Sequence, residues 1–441
     1  MVYHDSASTT RSEIVDRRWR QACRRTEVSQ LGNLQSIVEQ GDMKATPKRV
    51  LHVVFRLIAG GPTRDLLDLI SHPQETCTLN EVFVFARSDP HFVRAIEDHG
   101  VRVSQGEACG FLDCPLKIPA AVASIRRFKP DIIQTYDVPV VDWIVRVLAA
   151  CMGISQVALA LNVVRDYIIG KRGRMAWRFV LAGELATRRL VTVFVPNASG
   201  VQSYLQEVFD TAAERLVLIS TAIDENQFQS QPSLRSASRR RLGVEASDIV
   251  FGCVAAVKSP KGQLDLVRAF EKIARSAGVT LKLLLAGNLE RPYSDLVLNQ
   301  IKLLGLGDMC IVNGMVYDVI PVIESLDVFV LPSYAEGFPR ALVEAMMMGK
   351  PCIVTRVSGC SEAVVDCENG FVVEPGDWEA LAERMRTLLF DEGMRKRMGE
   401  ASRNRALRYY SMQGRLVAFR DLYRSISDER TPAGVERTFG T

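Results

Sequence analysis

The clearest chemistry in the sequence comes from two carboxylates, Glu336 and Glu344, within the segment 331–377. An apolar, strand-like run ends just before the loop that carries Glu336, and Pro339 stands where the first residue of a helix is expected. The helix is predicted to end near Met348, which puts Glu344 on it. Two carboxylates beside the positive end of a helix suit a ligand that has hydroxyls at both ends and a diphosphate between them.

Two lysines, Lys258 and Lys261, follow the strand-like run at 248–256 and precede a helical stretch. Ligands of open α/β sheets bind at the carboxyl ends of the strands, and this spacing places both ammonium groups there. At that edge they can neutralise a leaving diphosphate. Either lysine can instead be a surface residue, and Lys258 fits that alternative as well as it fits the functional one.

A glycine pair, Gly60 and Gly61, follows the first strand-like run at 50–55. Glycine lets the backbone approach a ligand closely, and Pro62 is well placed to begin a helix whose amino end faces that ligand. Taken alone, the pair is explained equally well by a tight turn.

Short apolar runs rich in β-branched residues alternate with helical stretches along most of the chain. Such continuous apolar strands indicate parallel sheets that helices cover on both faces. The first series lies at 50–55, 81–86, 131–136, 156–161, 191–196 and 216–220, and the second at 248–256, 282–287, 309–314, 327–333, 352–357 and 370–375. The predicted fold class is therefore α/β, with two Rossmann-like doubly wound domains that face a cleft.

The length of 441 residues exceeds what one hydrophobic core usually supports, so we expect separate domains. Residues 1–47 are predicted to be a polar extension, 48–230 the first domain and 245–410 the second. Residues 411–441 are predicted to form a helix that crosses back to the first domain, followed by a tail. The polar, arginine-rich stretch 225–241 is interpreted as part of the linker between the domains.

The composition excludes several classes of protein. The chain has 55 Lys and Arg against 51 Asp and Glu, a net charge of +4, which gives no electrostatic argument for a nucleic-acid partner. No apolar run is long enough to span a membrane, and the first twenty residues contain no secretory signal. These features favour the cytoplasm.

Two absences restrict the chemistry further. All five histidines lie within the first hundred residues, so the second domain has no histidine base or histidine metal ligand. The sequence also contains no Asp-x-Asp, a common arrangement for holding a metal ion together with a sugar diphosphate. We therefore expect a reaction that uses neither a metal ion nor a cofactor.

The segment around the two carboxylates resembles the retaining GT-B glycosyltransferases of group 1, also called family four. The family carries an E-x7-E motif within E-G-F-P-x-x-L-x-E-A-M-x-x-G-x-P, and this sequence matches it from Glu336 to Pro351. The similarity continues through Asn369 and Gly370 to Asp377. It covers roughly residues 49–426, strongly in the second domain and weakly in the first.

The resemblance implies specific roles. Glu336 would contact the donor sugar near its anomeric carbon, and Glu344 would accept hydrogen bonds from the nucleotide ribose. Backbone N–H groups around Gly337 and Phe338 would bind sugar or phosphate oxygens, and the first domain would hold the acceptor. The further donor-binding positions implied are Pro339, Leu342, Gly287, Gly60, Gly61 and Asn162.

The sequence departs from the family at several positions. Lys261 matches the lysine of the family's G-R-L-x-x-x-K-G, but Ala256 stands where the arginine is expected, and Lys258 is the candidate for the second positive charge. Where many relatives carry a histidine, this chain has Leu161 and Asn162. Arg340 can face either phosphate or solvent.

The stretch 170–190 mixes six basic residues with Met175, Trp177 and Phe179. Such a face can lie on anionic lipid, which would suit a lipid-linked acceptor and place the protein at the inner face of the membrane. The alternative is an ordinary solvated helix face.

These observations predict a metal-independent, retaining hexosyltransferase. Its donor would be a nucleotide sugar, with a UDP-sugar favoured, and its acceptor a hydroxyl of a lipid-linked or growing glycan in bacterial polysaccharide synthesis. The alternatives are a non-catalytic nucleotide-sugar-binding subunit and a nucleotide-sugar epimerase on the same fold. Donor turnover separates an enzyme from a binding subunit, and an epimerase would need further acid and base groups.

Overall fold

The computed structural model describes residues 46–136, 138–161, 175, 178–275 and 278–427. The predicted extension 1–47, apart from its last two residues, and the predicted tail after 427 lie outside the described residues. Asn162 lies outside them as well. So does most of the amino-terminal part of the basic stretch 170–190, including Lys171, Arg172, Arg174 and Trp177.

The first sheet has six parallel strands in the order β3-β2-β1-β4-β5-β6. The strands are β1 Lys48–Val54, β2 Thr78–Ala86, β3 Arg102–Ala108, β4 Ile132–Tyr136, β5 Ser155–Ala160 and β6 Val193–Pro196. The helices are Gly61–Ile70, Pro73–Thr76, Pro90–Asp98, Ile118–Phe128, Pro139–Cys151, 178–187 and Ser199–Phe209, with 3-10 turns at Phe111–Lys117, Arg188–Leu190 and Ala213–Arg215.

One predicted strand of the first sheet is wrong and one strand was missed. The run at 216–220 forms only an isolated bridge between Leu216 and Phe194. The missing strand is Arg102–Ala108, which pairs with β2 at the edge of the sheet. Polar residues stand between Val103 and Ala108 in this strand, so it lacks the continuous apolar run that identifies a central strand.

The second sheet repeats the strand order of the first, with β12-β11-β10-β7-β8-β9 in parallel. The strands are β7 Ile249–Val254, β8 Leu281–Ala286, β9 Cys310–Asn313, β10 Val328–Leu331, β11 Cys352–Thr355 and β12 Gly370–Val373. The helices are Pro232–Leu242, Gln263–Ala274, Tyr293–Leu303, Ile320–Ser325, Arg340–Met347, Cys360–Ala363, Trp378–Phe390 and Glu392–Tyr409, with a 3-10 turn at Ser259–Lys261. In the described part of the chain, no helix is both long and apolar enough to cross a membrane.

The interpretation of residues 225–241 as a linker needs correction, because Pro232–Leu242 is a helix that packs on the second domain. Arg235 and Arg239 each bond one oxygen of Asp327, at 2.6 Å, and Arg239 is buried. The guanidinium groups also bond backbone carbonyls around Ser325. A helix that docks through buried arginines has the polar composition of a linker, which explains the error.

The helix Met412–Ser427 returns to the first sheet. Its apolar residues belong to the same core as Val50 of β1: Met412, Leu416, Phe419, Leu422 and Tyr423. At the crossing point, the Ile223 amide donates to the Tyr410 carbonyl and the Met412 amide donates to the Ile223 carbonyl. The segment around Ile223 and the segment from Tyr410 to Met412 therefore run side by side where the chain passes between the two domains.

A buried polar network lies in the middle of the first sheet, around His52. The imidazole nitrogens lie 2.8 Å from Tyr136 Oη and 3.1 Å from Asn80 Oδ1. Gln134 Nε2 donates to Tyr136 Oη, and Tyr423 Oη of the returning helix donates to Gln134 Oε1. Burial lowers the pKa of His52 to about 4, against a smaller opposing effect of the Asn80 hydrogen bond. The side chain is therefore neutral at pH 7.

This network makes stability depend on pH. Unfolded His52 takes up a proton below pH 6.5, whereas the folded residue does so only near pH 4, so its contribution is complete above pH 6.5 and is lost as the pH falls. We expect the titration of His52 to lower the free energy of unfolding by about 2 kcal/mol when the pH falls from 7 to 5. Denaturant unfolding of wild type and His52→Gln at both pH values measures this difference. The exposed His91→Gln is the control, and equal pH dependence in wild type and His52→Gln would contradict the prediction.

Candidate active site

A glycine turn brings Lys261 to the cleft. After β7 the chain passes through the 3-10 turn Ser259–Lys261 to Gly262, whose φ of 68° favours glycine. A Cβ at Gly262 would lie only 2.0 Å from the Pro332 carbonyl oxygen. The turn can therefore press against the end of β10 only with glycine at this position, and this close approach places Lys261 beside the loop after β10.

Glu336 lies in that loop and forms an ion pair with Lys261. Its Oε1 accepts hydrogen bonds from Lys261 Nζ at 2.6 Å and from Ser333 Oγ at 2.6 Å, and the residue is only 8% exposed. The structure thus brings together two of the three residues that the sequence proposed for catalysis. Ser333 was missed, and its only signal was its position two residues after the end of a strand.

Lys258 does not join this pair. Its ammonium group lies 3.8 Å from the carboxylate of Glu290, and both side chains are partly exposed. Ala256 stands where the family arginine is expected, and its carbonyl oxygen accepts a hydrogen bond from Gln263 Nε2 at 3.0 Å. Among the contacts described around Glu336, Lys261 therefore provides the positive charge.

The backbone after Glu336 is enclosed between the two domains. A Cβ at Gly337 would lie 1.7 Å from the Leu161 carbonyl oxygen, which belongs to the first domain. Gly359, with φ 71°, lies against the other side, where a Cβ would be 2.0 Å from the Gly337 carbonyl oxygen. The ring of Phe338 is buried against Tyr410, at a centroid distance of 5.1 Å. Phe338 can therefore serve a ligand only through its backbone.

Two expectations for the next helix need correction. The helix begins at Arg340, and Pro339, with ψ of 112°, is its extended N-cap rather than its first residue. Leu342 was predicted to bind the donor, but its side chain is fully buried in the core of the second domain. It packs in the same core as the strands of the second sheet, so its side chain is not open to a ligand. Glu344 follows two positions later, on another face of the helix.

Glu344 is buried and already paired. It is 2% exposed, and its Oε1 accepts from Arg340 Nε at 3.0 Å and from Arg64 Nη1 at 3.1 Å. Arg340 faces carboxylates and not solvent, because its guanidinium also bonds Asp68 and lies 3.7 Å from Asp65. Burial opposes the charge of Arg340, but Asp68, Glu344 and Asp65 together raise its pKa above the ordinary value.

These residues form a balanced group of three cations and three anions, which we call the charge cluster. Its members are Arg64, Asp65 and Asp68 of helix Gly61–Ile70, Arg340 and Glu344 of helix Arg340–Met347, and Arg415 of the returning helix. Arg415 Nη1 bonds Asp65 Oδ1 at 2.7 Å, and both side chains are buried. The cluster joins both domains and the returning helix. Sequence reasoning missed the four members from the first domain and the returning helix.

The predicted glycine positions differ in what surrounds them. Gly60 is the N-cap and Gly61 the first residue of helix Gly61–Ile70, so Pro62 is the second residue and not the first as predicted. An added Cβ would meet no close atom at Gly60 or Gly61. Packing therefore does not demand glycine there. At Gly287, by contrast, a Cβ would lie 2.2 Å from the Ala255 carbonyl oxygen. Gly287 thus has a structural reason to be glycine, whereas Gly60 and Gly61 leave open space beside the cleft.

Carboxylates and ammonium groups at the cleft offer contacts for hydroxyls and phosphates. Among the residues that the structure describes, no group of three or more His, Cys, Asp or Glu side chains is placed to hold a metal ion. Lys261 has three N–H donors, of which Glu336 takes one. The remaining donors can bind an anionic ligand oxygen.

The second domain is similar to a known protein family. Residues 235–405 match the family model of glycosyl transferases group 1. This range contains Lys261, Glu336 and Glu344, and it includes most of helix Pro232–Leu242.

Curated relatives are similar to parts of the chain. The capsular polysaccharide biosynthesis glycosyltransferase CapM of Staphylococcus aureus is 34% identical over 166 residues, which cover 38% of this chain and 43% of CapM. The N,N'-diacetylbacillosaminyl-diphospho-undecaprenol alpha-1,3-N-acetylgalactosaminyltransferase of Campylobacter jejuni is 35% identical over 92 residues, 21% of this chain and 24% of that protein. The chain spans about half the length of the curated relatives it matches first.

Solved structures share the whole architecture. The crystal structure of Anabaena HepE in complex with UDP-glucose superposes with a TM-score of 0.75 at 21% identity, and covers 86% of this chain and 100% of HepE. This likeness confirms the predicted fold, two Rossmann-like domains in the GT-B arrangement.

Proposed function

We propose that this chain, whose residues 235–405 form a domain of the glycosyl transferases group 1 family, transfers a sugar from a nucleotide sugar to an acceptor hydroxyl. The observation that carries the proposal is the ion pair of Lys261 and Glu336 at the carboxyl ends of β7 and β10. A cation and an anion at one point of the cleft suit a reaction in which a diphosphate leaves a sugar carbon that becomes electron-poor.

In the proposed reaction the bond between the anomeric carbon and the diphosphate oxygen breaks, and the acceptor oxygen bonds to that carbon on the same face. The acceptor proton passes to the departing phosphate oxygen, so the anomeric configuration is retained. Lys261 neutralises the charge that develops on the diphosphate, and Glu336 orients the sugar. Holding the acceptor hydroxyl against that same face of the donor sugar lowers the barrier further.

We expect Glu336→Gln and Lys261→Ala each to lower the turnover number by about 10²–10³-fold, because each removes a charge beside the reacting bond. Release of nucleoside diphosphate in the presence of acceptor measures this. Lys258→Ala tests the second predicted positive charge, and Lys396→Ala, an exposed helix residue, is the control. Wild-type rates in both Glu336→Gln and Lys261→Ala would contradict the assigned roles. Nucleotide binding without any turnover in wild type would favour the non-catalytic binding subunit.

The donor is proposed to be a UDP-sugar, bound without a metal ion. HepE, which shares the fold, was crystallised with UDP-glucose. Glu344 would bind the ribose hydroxyls, and the amino end of helix Gly61–Ile70 would face the diphosphate across the cleft. Metal independence rests on the sequence, which has no Asp-x-Asp.

A thermal-shift series tests the donor site. UDP should raise the melting temperature of the purified protein more than GDP, ADP or dTDP, because a ligand that binds only the folded state stabilises it by mass action. The shift should be equal with magnesium and with EDTA, and it should be lost in Glu344→Ala. A larger shift with another nucleotide would replace UDP, and loss of the shift in EDTA would contradict metal independence.

The acceptor is proposed to be a lipid-linked or growing glycan in polysaccharide synthesis. CapM is a capsular polysaccharide biosynthesis enzyme, and the Campylobacter relative acts on a diphospho-undecaprenol compound by its name. On this chain Met175 is 84% exposed and Phe179 is 66% exposed, next to the exposed Arg178. Apolar side chains beside a cation suit the surface of an anionic membrane, on its cytoplasmic side.

Lipid vesicles test this surface. The wild-type chain should co-sediment with vesicles that contain anionic phospholipid and not with purely zwitterionic vesicles, because both charge and apolar contact contribute. Phe179→Ser should lower the bound fraction several-fold. Phe390→Ser removes an exposed aromatic residue of the second domain and is the control. Equal binding by Phe179→Ser and wild type would contradict the proposed surface.

A further inference from the structure

The carboxylate proposed to bind ribose is closed to ligands in this structure. Glu344 is 2% exposed, and two guanidinium groups share its Oε1. A ribose diol needs direct contact with carboxylate oxygens to donate its hydrogen bonds. At least one neighbouring side chain must therefore move before a ribose can reach Glu344.

Arg340 is the less movable of the two partners. It lies on the same helix as Glu344, its side chain is only 11% exposed, and it bonds Asp68 as well. Pulling it away would leave Asp68 and Glu344 buried beside each other with less compensation, which is costly for carboxylates in a low-dielectric site.

Arg64 is the more movable partner, because it reaches Glu344 from the first domain. Its side chain is 21% exposed, and it bonds only acceptors of the second domain in the contacts described: Glu344 Oε1 at 3.1 Å and the Tyr317 carbonyl oxygen at 2.8 Å. Tyr317 Oη in turn donates to Asp89 Oδ2 at 3.0 Å. These contacts hold the edges of the two domains together across the cleft.

We infer that Arg64 competes with the donor ribose for Glu344 and so acts as a latch between the domains. With Arg64 on Glu344, the cleft edge is closed and the carboxylate is occupied. With ribose on Glu344, Arg64 is released and this closed contact is lost. The inference rests on the proposed function, because it takes Glu344 as the ribose acceptor.

The contacts of Arg64 link two equilibria, the opening of the cleft edge and the binding of nucleotide. A ligand that binds only the unlatched state must overcome the free energy of the Arg64 contacts, and its apparent affinity falls by the same factor. Removing Arg64 lifts this penalty, while Arg340 still compensates the charge of Glu344. Arg64→Ala should therefore remain folded and bind nucleotide more tightly than wild type.

Calorimetric titration with UDP tests the inference. We expect the Kd of Arg64→Ala to be about tenfold lower than that of wild type. Small-angle scattering without nucleotide should give a larger radius of gyration for Arg64→Ala, because the two hydrogen bonds that Arg64 makes across the cleft edge are lost. Arg94→Ala, an exposed arginine on helix Pro90–Asp98 of the same domain, should match wild type in both measurements.

A second variant separates two possible causes of tighter binding: the loss of competition for Glu344, and the loss of a contact that holds the cleft edge closed. Tyr317→Phe removes the hydrogen bond to Asp89 at the same edge and leaves Glu344 and Arg64 in place. If competition at Glu344 is the cause, Tyr317→Phe should change the Kd far less than Arg64→Ala. Equal tightening in both variants would overturn the competition, since closure alone would then account for it.

The outcomes also separate this inference from the proposed function. If wild type binds UDP and Arg64→Ala binds it equally or more weakly, the inference alone is overturned. If neither protein binds UDP, GDP, ADP or dTDP, the proposed donor site is wrong and the inference fails with it.

Discussion

Buried carboxylates need cations, and this requirement sets how the parts of the molecule meet. Glu344 and Asp65 are both buried, and an uncompensated charge in such a place costs several kcal/mol. The cations that compensate them come from three helices in two domains. The charge cluster therefore fixes helix Gly61–Ile70 against helix Arg340–Met347 more specifically than apolar contacts could, because each pairing requires a particular atom at a particular distance.

The two acidic residues of the candidate site are satisfied in different ways. Glu336 is paired with Lys261 and Ser333, all within the second domain, so this half of the site exists wherever that domain is folded. Glu344 shares its oxygen between Arg340 of its own domain and Arg64 of the other. The geometry at the sugar end is thus local, whereas the geometry at the ribose end depends on how the domains are arranged.

How much the sequence could predict depends on how far apart along the chain the interacting residues lie. The central strands and the loop with Glu336 were predictable because their signals are local: an apolar run, a proline, a glycine. The edge strand Arg102–Ala108 lacks such a run, and helix Pro232–Leu242 docks through arginines that look like solvated residues. The charge cluster was out of reach because Arg340 and Asp68 are 272 positions apart, and nothing local in either segment identifies the partner.

The returning helix also affects how the protein is made. The core around β1 is complete only when Met412–Ser427 packs onto it, and the whole second domain is encoded between these two parts. On the ribosome the second domain can close its core first, while the apolar face of the first sheet still lacks its covering helix. The first domain, although it is synthesised first, therefore cannot complete its core until the last described helix has been made.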